Sequence, residues 1–104
     1  MLSQNKIATA LQTHEIAVGT WAQMNSPEFC EVASRAGTDF VIVDMEHGSF
    51  GIDSAVNMIR AVGVGGSACI VRVPDASRTN IFKVLDAGAD VVLASRTKAQ
   101  LDAV

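Results

Sequence analysis

Three ionisable side chains follow one apolar run of the sequence within four residues. Asp44, Glu46 and His47 come directly after the run at residues 40–43, and Gly48 permits a sharp exit of the chain. A carboxylate beside an imidazole orients the ring and selects its tautomer, as a general base requires. The other interpretation is structural, with Asp44 merely capping a turn in a solvated loop. The spacing by itself favours neither of these two interpretations over the other.

One charged residue, Arg72, lies inside the apolar run at residues 68–73. An unpaired charge in such a run would be costly, so the guanidinium needs a partner. Two partners are open: Asp86, in a structural salt bridge, or the carboxylate of a ligand held by two parallel hydrogen bonds. The chemistry alone favours the salt bridge somewhat.

Four apolar runs predict the strands that would position these side chains. They occupy residues 16–22, 40–43, 68–73 and 91–94. The second and fourth runs are continuous rather than alternating, which is typical of strands buried on both faces in a parallel sheet. Their spacing is too long for hairpins and leaves room for a helix in each gap. The sequence therefore predicts an α/β fold in which functional groups gather at the carboxyl ends of the strands.

Helical patterns fill the gaps between the apolar runs. Ser26 followed by Pro27 is typical of a helix start, and a glycine after the last turn is typical of a helix end. In the helix before the fourth run, Ile81, Phe82 and Leu85 are expected to face inward. The predicted helices are residues 2–13, Ser26 to Gly37, Asp53 to Gly63, Ser77 or Thr79 to Gly88, and a last one that begins at Thr97.

A short internal repeat supports the alternation of strands and helices. Residues 36–43 resemble residues 87–94, although any helix-glycine-strand junction can look alike. A full (β/α)₈ barrel takes about 250 residues, whereas this chain has 104. We therefore interpret residues 1–104 as a single N-terminal half-barrel segment, the first four βα units of a TIM barrel with a parallel sheet. The unpaired sheet edges predict self-association of the isolated chain.

The composition excludes several classes of protein. The chain is 49% apolar and 18% charged, with a formal net charge of -3. It is too hydrophobic for a disordered chain, and its acidic balance argues against a nucleic-acid partner. No apolar run reaches the roughly 18 residues that span a bilayer, so no membrane partner is expected. Cys30 and Cys69 are isolated, which fits a reducing, cytoplasmic location.

Taken together, the motifs resemble the HpcH/HpaI aldolases. The resemblance is carried by Gly19-Thr20-Trp21, residues 36–48, Val71-Arg72-Val73-Pro74 and residues 84–89. An Asp-x-Glu-His-Gly segment followed by Val-Arg-Val-Pro and Leu-Asp-Ala-Gly is fairly specific as an ordered set. The match covers residues 6–104 and corresponds to only the first part of a family member.

The resemblance implies a carbon–carbon lyase that cleaves a 4-hydroxy-2-oxo acid to pyruvate and an aldehyde through a metal-stabilised enolate. It implies that His47 is the catalytic base and that Arg72 binds the 2-oxo acid. It also implies that Asp44 and Asp86 orient the base and the local network, while Glu46 supports them.

Further expectations concern the pocket, cofactor and partners. Trp21 is assigned to the substrate pocket, with core packing as the alternative. The resemblance implies a divalent ion, Mg²⁺ or Mn²⁺, held by residues on later strands, so that no metal ligand is expected within this chain. It also implies a homo-oligomer. In the fourth loop, residues 93–98 are shorter than the family pattern and lack its proline.

Two alternatives to an active lyase stay open at this point. One is a non-catalytic truncated half-barrel or assembly module, which the missing metal ligands favour for the isolated chain. The other is a small carboxylate-binding domain that keeps Arg72 but performs no chemistry.

Overall fold

The computed structural model describes residues 6–95, in which helices and strands alternate. Residues 2–5 of the predicted leading helix, and the helix predicted from Thr97, lie outside the described residues. In chain order the elements are α1 (Lys6–His14), β1 (Gly19–Ala22), α2 (Pro27–Arg35), β2 (Phe40–Asp44), α3 (Ile52–Gly65), β3 (Ala68–Arg72), α4 (Arg78–Ala87) and β4 (Val91–Leu93).

The four strands form one parallel sheet in the order β1-β2-β3-β4. Each strand pairs with the next one in the chain, and a helix makes each connection. The predicted α/β fold with a parallel sheet is therefore confirmed. β1 is shorter than its apolar run, because Ile16 and Val18 are exposed and precede the paired residues.

Alternation along the strands separates two faces of the sheet. Val41 and Val43 of β2 pack in the core cluster with helix residues such as Met58. The residues between and after them, Ile42 and Asp44, therefore lie on the opposite face, although both are buried. The same alternation applies to β3, so that Arg72 shares the face of Asp44.

The helix ends test the predicted caps. Ser26 and Ser77 are N-caps, each accepting a backbone N–H three residues on, and Gly88 ends α4 in the left-handed conformation. The cap predicted at Asp53 is wrong, because the N-cap of α3 is Gly51, two residues earlier, and the helix begins at Ile52. Gly63 lies within α3, whose end is set by Gly66 at φ +94°.

The inward face predicted for α4 is wrong for Phe82 and Leu85. These side chains are 50% and 44% exposed, while Val84 is fully buried and Ile81 is partly buried against the core. Residues three apart share one face of a helix, so α4 packs through Ile81 and Val84. The Phe82 ring instead lies 5.1 Å from the Arg78 guanidinium carbon.

The internal repeat makes the same pair of hydrogen bonds in both of its copies. The Asp39 carboxylate accepts from the Val18 backbone N–H at 2.9 Å, and its own N–H donates to the Val18 carbonyl at 2.7 Å. Asp90 repeats this pattern with Cys69, at 2.8 Å and 2.9 Å. Each aspartate thus ties the start of its strand to the neighbouring strand.

A buried serine joins α2 to the start of β3. The Ser34 hydroxyl donates to the Val62 carbonyl at 2.6 Å and accepts from the Ser67 backbone N–H at 2.9 Å. Ser34→Ala should lower the free energy of unfolding by about 1–3 kcal/mol, because the buried Ser67 N–H loses its acceptor. Urea unfolding measures this change. Ser54→Ala, which removes an exposed bond to Asn25, is the control and should cost less than about 0.5 kcal/mol.

Candidate functional site

The carboxyl ends of β2 and β3 bring two opposite charges side by side. Asp44 and Arg72 are the last residues of their strands and are partners in the sheet register. The Arg72 guanidinium donates from Nε to Asp44 Oδ1 at 3.0 Å and from Nη2 to Oδ2 at 2.7 Å. The partner of Arg72 in this chain is therefore Asp44.

Asp44 is fully buried, and its carboxylate accepts hydrogen bonds from six donor atoms. Besides Arg72, its donors are the indole Nε1 of Trp21 at 2.9 Å and the amide of Gln23 at 3.1 Å. The backbone N–H groups of Glu46 and His47 also donate to it, at 3.0 and 3.1 Å. Asp44 therefore caps the turn after β2 and holds Arg72 at the same time.

These contacts set the protonation of the pair. Burial opposes ionisation of Asp44 and is the largest single effect on its pKa. The bonds from Arg72, the His47 backbone, Trp21 and Gln23 together outweigh it and hold that pKa well below its usual range. The bond to Asp44 in turn raises the pKa of Arg72 above its ordinary value. The pair is thus an ionised carboxylate and a guanidinium.

Arg72 keeps one edge of its guanidinium open. Asp44 occupies Nε and one proton of Nη2, and the Trp21 ring lies 5.1 Å from the guanidinium carbon. Within residues 6–95 no hydrogen bond is made by Nη1, and the side chain is 20% exposed. Nη1 and the second Nη2 proton thus form a planar two-point donor for a carboxylate or a 2-oxo acid.

Glu46 lies close to both His47 and Arg72. Glu46 Oε1 lies 3.5 Å from His47 Nε2 and 3.4 Å from Arg72 Nε. The Ser95 hydroxyl, just past β4, donates to the same oxygen at 3.4 Å. The His47 side chain is 64% exposed, so that its ring is accessible to a bound substrate.

The structure brings five of the six predicted site residues to one edge of the sheet: Trp21, Asp44, Glu46, His47 and Arg72. The expected position of Asp86 beside Arg72 or His47 is wrong. Asp86 is exposed in the last turn of α4, just before β4 begins. Because α4 runs back from the carboxyl end of β3, its last turn lies at the amino edge of the sheet.

Asp44 contacts His47 in a different way from the one expected. It binds the His47 backbone N–H, whereas Glu46 is the carboxylate near the imidazole. Sequence reasoning missed Gln23, which directly follows β1, and Ser95, which lies two residues past the end of β4. The one feature of the sequence that could have identified them is their position after a strand, since parallel strands place their carboxyl ends at one edge of the sheet.

Gly48 is needed for the turn that carries Glu46 and His47. Its N–H donates to the Asp44 carbonyl at 3.0 Å, and an added Cβ would collide with that same oxygen. Gly48→Ala should therefore displace the turn and lower the free energy of unfolding by about 1–3 kcal/mol, as overpacking does. Gly51→Ala is the matched control, because its Cβ would meet open space. Equal urea midpoints for the two variants would contradict this account.

Neither a metal site nor a membrane span is found in the described part of the chain. No group of three or more His, Cys, Asp or Glu side chains between residues 6 and 95 could hold a metal ion. No helix in that range is long and apolar enough to cross a bilayer.

Comparisons with known proteins point to one family. The model of the HpcH/HpaI aldolase/citrate lyase family matches residues 17–104. A hydroxypyruvate/pyruvate aldolase of Agrobacterium fabrum is 32% identical over 90 residues, covering 86% of this chain and 34% of the relative. A 5-keto-4-deoxy-D-glucarate aldolase of an Enterobacter species is 36% identical over 84 residues, covering 81% and 33%. The chain thus spans about a third of these curated relatives.

Solved structures show the same fold over the same portion. The citrate synthase SbnG aligns with a TM-score of 0.75 and 28% identity, over 89% of this chain and 38% of that one. An HpcH/HpaI aldolase/citrate lyase family protein from Burkholderia cenocepacia aligns with a TM-score of 0.77 and 24% identity, over 91% and 38%. The four parallel strands and the helices that connect them therefore correspond to part of a TIM-barrel-like fold, as predicted.

Proposed function

This chain belongs to the HpcH/HpaI aldolase/citrate lyase family, and on that premise we propose that it supplies the 2-oxo acid site of a carbon–carbon lyase. The substrate is a 4-hydroxy-2-oxo acid, which is cleaved to pyruvate and an aldehyde. Two relatives, a hydroxypyruvate/pyruvate aldolase and a 5-keto-4-deoxy-D-glucarate aldolase, support this class of chemistry.

The observation that carries the proposal is the open edge of Arg72. Asp44 holds the guanidinium from one side and Trp21 lies against its face, so its orientation is set before a substrate binds. A fixed two-point donor recognises the carboxylate and 2-oxo oxygens of the acid without paying for reorganisation. The same donor is well placed to stabilise negative charge that develops on the 2-oxo oxygen.

His47 supplies the proton transfer in this proposal. Its exposed imidazole follows β2 at the edge where Arg72 ends β3. A substrate held by Arg72 would place its 4-hydroxyl group within reach of this ring. The imidazole takes the hydroxyl proton as the carbon–carbon bond breaks, which is the role of a general base.

A divalent ion would act as a Lewis acid on the 2-oxo group of the substrate. The proposal assigns its ligands to residues outside this chain, as the family resemblance implies. Within the described residues, Asp44 already accepts bonds from six donors and has no oxygen to offer. The roles derived for this chain are therefore binding and proton transfer.

The test is pyruvate release from a 4-hydroxy-2-oxo acid, with and without Mg²⁺ or Mn²⁺. It compares the 104-residue chain with a longer protein that continues past Val104. We expect metal-stimulated cleavage by the longer protein and little or none by the chain alone. An inert longer protein that still binds pyruvate would favour the carboxylate-binding domain. Strong metal-dependent activity in the short chain would mean that its own carboxylates bind the ion.

Arg72→Lys should weaken binding of pyruvate by about 10-fold or more, because an ammonium cannot reproduce a planar two-point donor. Trp21 is the only tryptophan of the chain and lies 5.1 Å from the guanidinium, so its fluorescence reports the binding. Arg60→Lys, on the exposed side of α3, is the matched control and should leave affinity unchanged. Equal affinities in both variants would remove Arg72 from substrate recognition.

A further inference from the structure

Glu46 is the charged residue of the site that has no settled partner. Its Oε1 lies 3.4–3.5 Å from the His47 imidazole, the Arg72 guanidinium and the Ser95 hydroxyl. All three distances exceed the usual length of a hydrogen bond. Glu46 therefore lies between His47 after β2, Arg72 at the end of β3 and Ser95 after β4. None of the three contacts fully satisfies its carboxylate.

Asp44, by contrast, has no capacity left for the imidazole. A carboxylate offers about four lone-pair sites, and six donors already converge on Asp44. Its contact with His47 goes to the backbone N–H and not to the ring. Among the residues described, Glu46 is the carboxylate within ion-pair distance of the His47 ring.

We propose that Glu46 is the positioning residue for His47, accepting a hydrogen bond from Nε2–H and leaving Nδ1 to exchange a proton with the substrate. This inference rests on the proposed function. In the structure Nε2 is the ring nitrogen that lies 3.5 Å from Glu46 Oε1. Such bonds are often long before a substrate binds and tighten in the complex.

The proton and the electron pair balance in this arrangement. In the cleavage direction, Nδ1 takes the proton of the 4-hydroxyl group and the C3–C4 bond breaks. The electron pair of that bond stays with C3, next to the 2-oxo group, and the aldehyde leaves. The imidazolium carries a proton on each nitrogen, and the Glu46 carboxylate compensates its charge. C3 then takes up that proton from Nδ1 to give pyruvate, and the imidazole returns to its neutral form.

The test must separate action through His47 from action through Arg72, since Glu46 lies near both. A double-mutant cycle in the longer protein does so, with pyruvate release as the assay. Glu46→Gln keeps the volume and removes the charge. We expect kcat to fall roughly 10- to 100-fold, the range typical of groups that orient a functional histidine, with KM changed less than about twofold.

In the His47→Ala background, Glu46→Gln should cost less than about a further twofold, because no imidazole remains to be positioned. Glu31→Gln is the matched control and should change neither constant. Glu31 is an exposed glutamate of α2 that pairs with Arg35, away from the site.

Two results would overturn the proposal and leave the function standing. One is an equal loss of kcat from Glu46→Gln in both backgrounds, and the other is a raised KM with unchanged kcat, which would place the effect on Arg72. A native longer protein that releases no pyruvate would remove the proposed function and the role of Glu46 together.

Discussion

Replacing His47 with alanine in a protein that continues past Val104 should lower kcat for pyruvate release by about 10²- to 10⁴-fold. The imidazole is exposed just past the carboxyl end of β2, which pairs with β3, the strand that Arg72 ends. Proton transfer occurs in the transition state, so the loss should fall on kcat and leave KM nearly unchanged. The intact Arg72 continues to bind the acid.

Steady-state measurement of pyruvate release checks this prediction. His14→Ala is the matched control, because His14 is the other histidine of the chain and is exposed at the end of α1. Native turnover in His47→Ala would exclude the imidazole from the chemistry. Arg72 would then be the anchor of a carboxylate-binding domain.

Asp44→Asn should lower the free energy of unfolding by about 3–5 kcal/mol, the typical cost of breaking a buried ion pair. Asp44 is fully buried and is the acceptor for both Arg72 donors. An amide group in its place would turn its own N–H₂ toward some of the donors and leave them unpaired. The capping bonds to Glu46 and His47 would weaken with it, so the turn should loosen.

Urea unfolding of the chain at a single protein concentration measures this loss. Asp86→Asn is the control, since Asp86 is exposed near the end of α4, and its cost should stay below about 0.5 kcal/mol. Similar losses in the two variants would contradict the central role given to Asp44.

The same carboxylate predicts how stability depends on pH. The pKa of Asp44 is lower in the folded chain than the value of about 3.9 of an unfolded aspartate. The unfolded state therefore binds the proton first as the pH falls. The stabilisation by Asp44 is fully present above about pH 5 and declines below about pH 4. In Asp44→Asn this part of the decline should disappear, which urea midpoints at about pH 7 and pH 3 measure.

Local patterns in the sequence determined the elements and their order. Continuous apolar runs indicated buried parallel strands, and Ser26, Ser77 and Gly88 indicated helix ends that the structure confirms. These signals work because strand burial and helix capping depend on residues a few positions apart. Errors arose where several glycines or several apolar residues compete locally, as at the end of α3 and on the face of α4.

The sequence also determined that Asp44 and Arg72 end neighbouring strands, but it left open whether Asp86 or a ligand pairs with the guanidinium. Only the tertiary structure decided this. The register of β2 against β3 sets Asp44 opposite Arg72 on one face, while α4 carries Asp86 to the other edge of the sheet. The partners of Asp44 come from the turn after β2, from β3 and, through Trp21, from β1. Contacts between residues that distant depend on register and face, which exist only once the sheet has formed.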